Sequence, residues 1–245
     1  MQSYRGRSGT AGLAAPGCPV VNVGEMCGPF DVEVPGALAG IGTSMAGGAE
    51  AGVTFQSREA PTVAFMFDDG TGIVQNGRYA MQDVLDQYGV KGSFFLTGRA
   101  MQTYPSAVRA LVAGGHRVGN HTWSHPYLTR LGDAAIGAEL DQAEAQFRAI
   151  VPGATTRPCF RAPNGDLNAR VLAVADGRGY REIAQDVSSN DWAGVSAARM
   201  IDSVLREVRD GARVSFHSQE PQTLIALRTL VPTLLAEGYQ FVTAC

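Results

Sequence analysis

Two patterns divide this chain near residue 60. From Ala60 onward, short apolar runs alternate with amphipathic stretches. The apolar runs predict strands at Thr62–Phe67, Ser93–Leu96, Arg117–Val118 leading to Asn120, Cys159–Ala162, Glu182–Ala184, Arg213–His217 and Gln240–Thr243. The stretches between them predict helices near Arg78–Tyr88, Pro105–Ala113, Asp133–Ile150, Asn168–Gly177, Ser196–Arg209 and Gln222–Glu237. Ile136, Leu140, Ala143, Phe147 and Ile150 recur at steps of four and three, which puts one apolar stripe on one helix face. Regular strand–helix alternation predicts a parallel sheet with helices outside it. The expected fold is α/β, a small distorted (β/α) barrel of about seven strands. Residues 1–58 break the pattern, being rich in Gly, Ala and Pro and poor in helical period. They read as an irregular N-terminal extension or linker, ahead of one domain at 59–245.

Composition narrows the function classes. The formal net charge is -3 over 245 residues, without long like-charge runs, so neither nucleic acid nor an anionic membrane is an expected partner. A neutral glycan suits this balance, and the chain is expected to act as a monomer. No apolar run nears the roughly 18 residues of a membrane span. The N-terminal MQSYRGRSGTAG lacks the apolar core of a secretory signal. The four cysteines, Cys18, Cys27, Cys159 and Cys245, fit two disulfides and an oxidising compartment, with three pairings open. Cys18 and Cys27 lie close enough for a local staple, while Cys159 and Cys245 also fit as small buried hydrophobes.

In a (β/α) barrel the chemistry gathers where strands end. The first strand runs into Asp68-Asp69-Gly70, an unusual carboxylate pair that also fits a plain Asp-Gly turn. The third leads to His121 and His125, two of only four histidines, spaced to bind one metal from one side of a compact loop. Arg161 follows the next strand and suits bidentate pairing with a carboxylate, or a plain rim charge. Asp191 and Trp192 follow another, although Ser196 is the better cap for the next helix. His217 ends the strand Arg213–His217. Singly each has an ordinary structural explanation; together, at successive strand ends, they converge on one face.

In order along the chain stand FDDG (Phe67–Gly70), HTWSH (His121–His125), RAPNG (Arg161–Gly165), DVSSNDW (Asp186–Trp192) and SFH (Ser215–His217). With this order and spacing, the segment from Thr62 to the C-terminus resembles the polysaccharide deacetylases, the NodB-homology carbohydrate esterases of family 4. The resemblance implies a secreted or cell-wall enzyme that removes N-acetyl groups from an amino-sugar polymer such as chitin or chitooligosaccharide. It implies Asp69, His121 and His125 as ligands of Zn2+ or another divalent metal such as Co2+. It implies Asp68 as general base, Arg161 as its orienting partner, His217 as general acid and Asp191 as the group that tunes it. Trp192, Asn164, Ser215 and Tyr127 would contact substrate. The same machinery also suits O-acetyl esters of xylan, peptidoglycan, or a catalytically silent glycan binder.

The residues support this chemistry directly. A cation held by three protein ligands keeps a position open, as catalytic sites do and closed structural sites do not. Asp68 beside Arg161 can take a proton from water, and His217 beside a carboxylate can return one to an amine. Three positions depart from the family pattern. Asn164 stands where an aromatic is usual, Ser188 where a second Asp is usual, and Ser215 where Leu or Ile forms an apolar notch.

Overall fold

The structure is a computed structural model and describes residues 59–245. Cys18, Cys27 and the rest of the expected extension lie outside the described residues.

The core is a parallel sheet built around β1 (Thr62–Asp69), whose TVAFMF run is buried on both faces. Such continuous apolar runs are what a strand covered on both sides requires. β4 (Ser93–Leu96) and β9 (Ala212–His217) flank β1 in parallel register. Beyond β4 lie β5 (Arg117–Asn120), β6 (Cys159–Phe160) and β7 (Arg181–Glu182); beyond β9 lies β8 (Val187–Ser188). The resulting order is β7-β6-β5-β4-β1-β9-β8, with β10 (Gln240–Phe241) added beside β1. The two edge strands, β7 and β8, are consecutive in sequence, and residues 183–186 join them without a helix. This seven-strand path is the expected small, distorted barrel.

Helices α1 (Ala80–Gln87), α3 (Pro105–Ala113), α4 (Asp133–Ile150), α5 (Ala169–Asp176), α6 (Ala197–Glu207) and α7 (Pro221–Ala236) match the expected helices to within a few residues. Ser196 Oγ accepts the Arg199 N–H and caps α6, as expected from its position. Phe65, Phe67, Phe94 and Phe216 are fully buried and stack or meet edge-on at 4.7–5.7 Å, binding β1, β4 and β9 into one core.

Some elements differ from expectation. Arg78 and Tyr79 belong not to the first helix but to a hairpin, β2 (Val74–Gln75) with β3 (Arg78–Tyr79). Asn76 and Gly77 turn it, both at positive φ. α2 (Gly98–Thr103) was not expected; Thr97 caps it by accepting the Ala100 N–H at 3.2 Å. β8 was not expected either, since it is two residues long. Cys159 and Cys245 form a disulfide with Cα atoms 5.9 Å apart, joining β6 to the C-terminus.

Candidate active site

β1 delivers the first two carboxylates. Asp68 pairs in register with Phe95 and His217, and Asp69, still in register with Leu96, ends the strand at φ 72. That left-handed turn is costly for a residue with a Cβ. Thr122, His125, Asn164 and Asn190 also adopt positive φ. Among described residues, the left-handed non-glycine residues thus gather at these strand ends, apart from Asn76 in the hairpin turn.

Asp69 Oδ1 lies 3.4 Å from His121 Nε2 and 3.3 Å from His125 Nε2. The three donor atoms fall within 4.8 Å of one another. Asp69 Oδ1 is buried, with no hydrogen-bond partner among described residues. His121 Nδ1 is 2.8 Å from the Arg161 carbonyl oxygen. That contact places the proton on Nδ1 and turns the Nε2 lone pair toward Asp69. One carboxylate, two imidazoles and an orphaned buried oxygen fit a divalent transition metal such as zinc. Burial alone raises the Asp69 carboxyl, but the adjacent His121 and His125 rings more than reverse this and bring it below its ordinary value. The Asp69 carboxylate raises His125 in turn.

The loop carrying both histidines is held by a residue outside the motifs. Glu139, on α4, accepts the Trp123 N–H at 2.9 Å, the Ser124 N–H at 2.8 Å and the Ser124 hydroxyl at 2.7 Å. Thr122 Oγ1 accepts the His125 N–H at 3.1 Å. On the other side of Asp69, Gln219 Nε2 donates to Oδ2 at 3.1 Å.

Asp68 is 4% exposed, so its charge needs a partner. Arg161 Nε donates to Asp68 Oδ2 at 2.7 Å, while Nη1 donates to the Ile183 carbonyl at 3.0 Å. Nη2 donates to Gln185 Oε1, which also accepts the Ser215 hydroxyl at 2.7 Å. Asp68 Oδ1 has no partner among described residues. One oxygen of this carboxylate is therefore fixed and the other is left open.

Opposite stands His217. Asp191 Oδ1 lies 2.8 Å from His217 Nδ1, and Oδ2 accepts the Thr223 hydroxyl at 2.7 Å. Burial pushes the His217 imidazolium down, yet the Asp191 hydrogen bond and charge, with Asp68 and Asp69, carry it above its ordinary value. Burial likewise raises Asp191, and its bonds from the His217 ring and backbone bring it below the ordinary carboxylate range.

Asp68, Asp69, His121, His125, Arg161 and His217 line a cavity of about 690 Å3 together with Asn164, Ser188, Trp192 and Ser215, while Asp191 stands behind His217. Trp192 is 67% exposed, on the rim rather than in the core. The Asn164 N–H takes no partner among described residues. Tyr127 is not part of this cavity wall; it is exposed, close to His125 in sequence, and Arg130 stacks on its ring 4.4 Å from the centroid. The three residues Pro126, Tyr127 and Leu128 lead away from the histidine loop into a 3₁₀ turn at Leu128–Arg130, which carries the ring outward. Glu182, Gln185 and Gln219 line the cavity without having been singled out in the sequence. Glu182 accepts the Ala162 N–H at 3.0 Å, and burial pushes its carboxyl up to about 7.

Residues 56–183 match the family model of the polysaccharide deacetylases. The chain is 33% identical to a chitooligosaccharide deacetylase from a Bradyrhizobium strain, over 73% of this chain and 87% of that protein. It is 32% identical, over 71% of its length, to an uncharacterised 30.6 kDa protein of Geobacillus stearothermophilus, of which it spans 66%. The fold is similar to that of a peptidoglycan deacetylase from Bacillus subtilis at a TM-score of 0.69 and 26% identity, covering 76% of this chain and 88% of that one. No helix among the described residues is long and apolar enough to cross a membrane. With its family model matched over half its length and its five motifs drawn around one cavity, this chain belongs to the polysaccharide deacetylase family.

Proposed function

We propose that this protein is a metal-dependent hydrolase that removes N-acetyl groups from GlcNAc-containing poly- or oligosaccharides of the chitooligosaccharide type, acting as a monomer outside the cell or at its wall. The observation that carries this reading is Asp68, with one oxygen fixed by Arg161 and the other buried and unpartnered beside the Asp69–His121–His125 triangle. A glycan-binding relative without catalysis has no use for a buried carboxylate left open in this way. The Cys159–Cys245 pair suits an oxidising compartment.

Asp69, His121 and His125 would hold Zn2+, or another divalent metal such as Co2+. When bound, it would polarise the acetyl carbonyl and make a nearby water more acidic. Asp68 Oδ1 takes the proton of the attacking water. Arg161 holds Asp68 in place through its Nε hydrogen bond to Oδ2. As water adds to the carbonyl carbon, the Asn164 N–H supports the developing oxyanion. The amide nitrogen becomes basic as its bond to that carbon weakens. His217 Nε2 gives it a proton, the C–N bond breaks, and acetate and a free amine result. Asp191 holds the imidazole by Nδ1, so Nε2 faces the nitrogen. Ser215, bonded to Gln185, makes the floor more polar than the Leu or Ile usual at that position, and Trp192 offers an exposed ring to a sugar face.

The test is product analysis on a defined, fully N-acetylated chitooligosaccharide. Acetate and new free amine in equal amounts support the reading. A zinc-loaded protein that binds the oligomer but releases no acetate from it, from acetylxylan or from peptidoglycan contradicts it.

A further inference from the structure

Ser215 is 4% exposed, yet it forms part of the wall of the main cavity. It stands two residues before His217 on β9, so both side chains leave the same face of the strand. In register, His217 pairs with Asp68 of β1 and Ser215 with Met66. Ser215 therefore lies about 6–7 Å further down the strand than the proposed acid and base, at the inner end of the cavity. On β8, Ser188 pairs in register with Ser215 and lines the same cavity. Gln185, in the join between β7 and β8, adds a carboxamide to this polar end.

The hydrogen bonds made here leave complementary groups open. Ser215 Oγ gives its proton to Gln185 Oε1 at 2.7 Å and accepts from nothing among described residues. Ser188 Oγ accepts the Asn190 N–H at 3.2 Å, and its own proton has no partner among described residues. Gln185 Oε1 accepts from both Ser215 and Arg161 Nη2, which fixes the carboxamide, while its Nε2 has no partner among described residues. A methyl group placed against this set satisfies none of them. A hydroxyl satisfies both kinds, donating to Ser215 Oγ and accepting from Ser188 Oγ or Gln185 Nε2.

The reaction geometry directs the acyl group to this end. Water attacks the acyl carbon from Asp68 and His217 protonates the nitrogen, so the amide lies between these two side chains. The glycan on the nitrogen is too bulky to pass between strands and leaves through the mouth. The remaining substituent of the acyl carbon then points inward, toward Ser215.

We propose that the inner end of the cavity is a pocket for a hydroxylated acyl group, and that the enzyme removes N-glycolyl as well as N-acetyl groups from amino sugars. This inference rests on the deacetylase reading and extends it to a second acyl group on the same glycan. Glycolyl differs from acetyl by one oxygen atom, small against a cavity of about 690 Å3. The oxygen of water adds to the acyl carbon as Asp68 takes a proton, and the C–N bond breaks as His217 gives one to nitrogen. Glycolate and a free amine result, with water as the sole co-reactant.

The experiment uses chitooligosaccharides of one length carrying N-acetyl, N-glycolyl or N-propionyl groups. Glycolyl and propionyl have the same number of heavy atoms, which separates polarity from size. kcat/KM is measured on all three for zinc-loaded wild type, Ser215→Ala and Ser215→Thr, and binding of glycolate and propionate by calorimetry. The wild type should favour N-glycolyl over N-propionyl about tenfold or more, and glycolate over propionate likewise. The hydroxyl also activates the carbonyl inductively, so the change of each ratio on substitution is the decisive quantity. Ser215→Ala should lower both ratios about tenfold, and Ser215→Thr, which restores the hydroxyl, should keep most of the preference. Wild-type ratios at or below one, or ratios that Ser215→Ala leaves unchanged, overturn the pocket. Release of no acid from any of the three substrates by the zinc-loaded wild type instead overturns the deacetylase reading. The glycolate–propionate binding ratio and its dependence on Ser215 then decide the pocket by themselves.

Discussion

Asp191 grips His217 at two points: Oδ2 accepts the His217 backbone N–H at 2.6 Å, and Oδ1 lies 2.8 Å from Nδ1. The ring is thus aimed and its cationic form favoured. A general acid works while protonated, so raising its pKa extends activity toward higher pH. Asp191→Asn removes the charge, and burial, which acts the other way, then dominates. The alkaline limb of the kcat profile is expected to move to lower pH, with lower kcat at neutral pH. A limb that stays in place would assign it to another group.

The two adjacent aspartates should separate cleanly. Asp68→Asn keeps the shape but removes the proton acceptor, and should cost about 10²–10⁴-fold in kcat while metal content holds. His125→Ala should lose metal and activity together. Metal analysis showing full occupancy in His125→Ala, or wild-type rates in Asp68→Asn, would contradict the assignments.

Arg161 is 12% exposed at its side chain and Asp68 5%, so their ion pair is largely dry. Removing one partner strands the other's charge. Arg161→Gln should lower unfolding stability by about 3 kcal/mol as well as activity. Denaturant unfolding that matches wild type would mean water reaches Asp68 freely.

Glu139 holds the loop that carries both histidines through three hydrogen bonds without being near the metal triangle in sequence. Glu139→Ala should weaken metal binding by about 10–100-fold, as loss of ligand-orienting contacts commonly does. Titration with zinc measures this. Unchanged affinity would make Glu139 a stability residue only.

The strand ends were legible because β1, β4 and β9 carry apolar runs that break abruptly into polar residues. β8 escaped because two residues flanked by Asp186 and Ser189 carry no periodic signal. The Asn76-Gly77 turn was a readable hairpin sign, but the apolar pattern of α1 drew Arg78 and Tyr79 into the helix. Glu139, Gln185 and Gln219 could not be found by motif. Their roles arise from elements that meet only in the folded chain, and the helical pattern around Glu139 reads simply as a solvated face. The disulfide partner of Cys159 could not be chosen from a count of four cysteines.

Metal-dependent release of acetate is tested by one cycle. Acetate release from a chitooligosaccharide is followed before chelation, after chelation, and after zinc is added back. Release should stop on chelation and return with zinc. Release that persists in protein shown to be free of metal would contradict it.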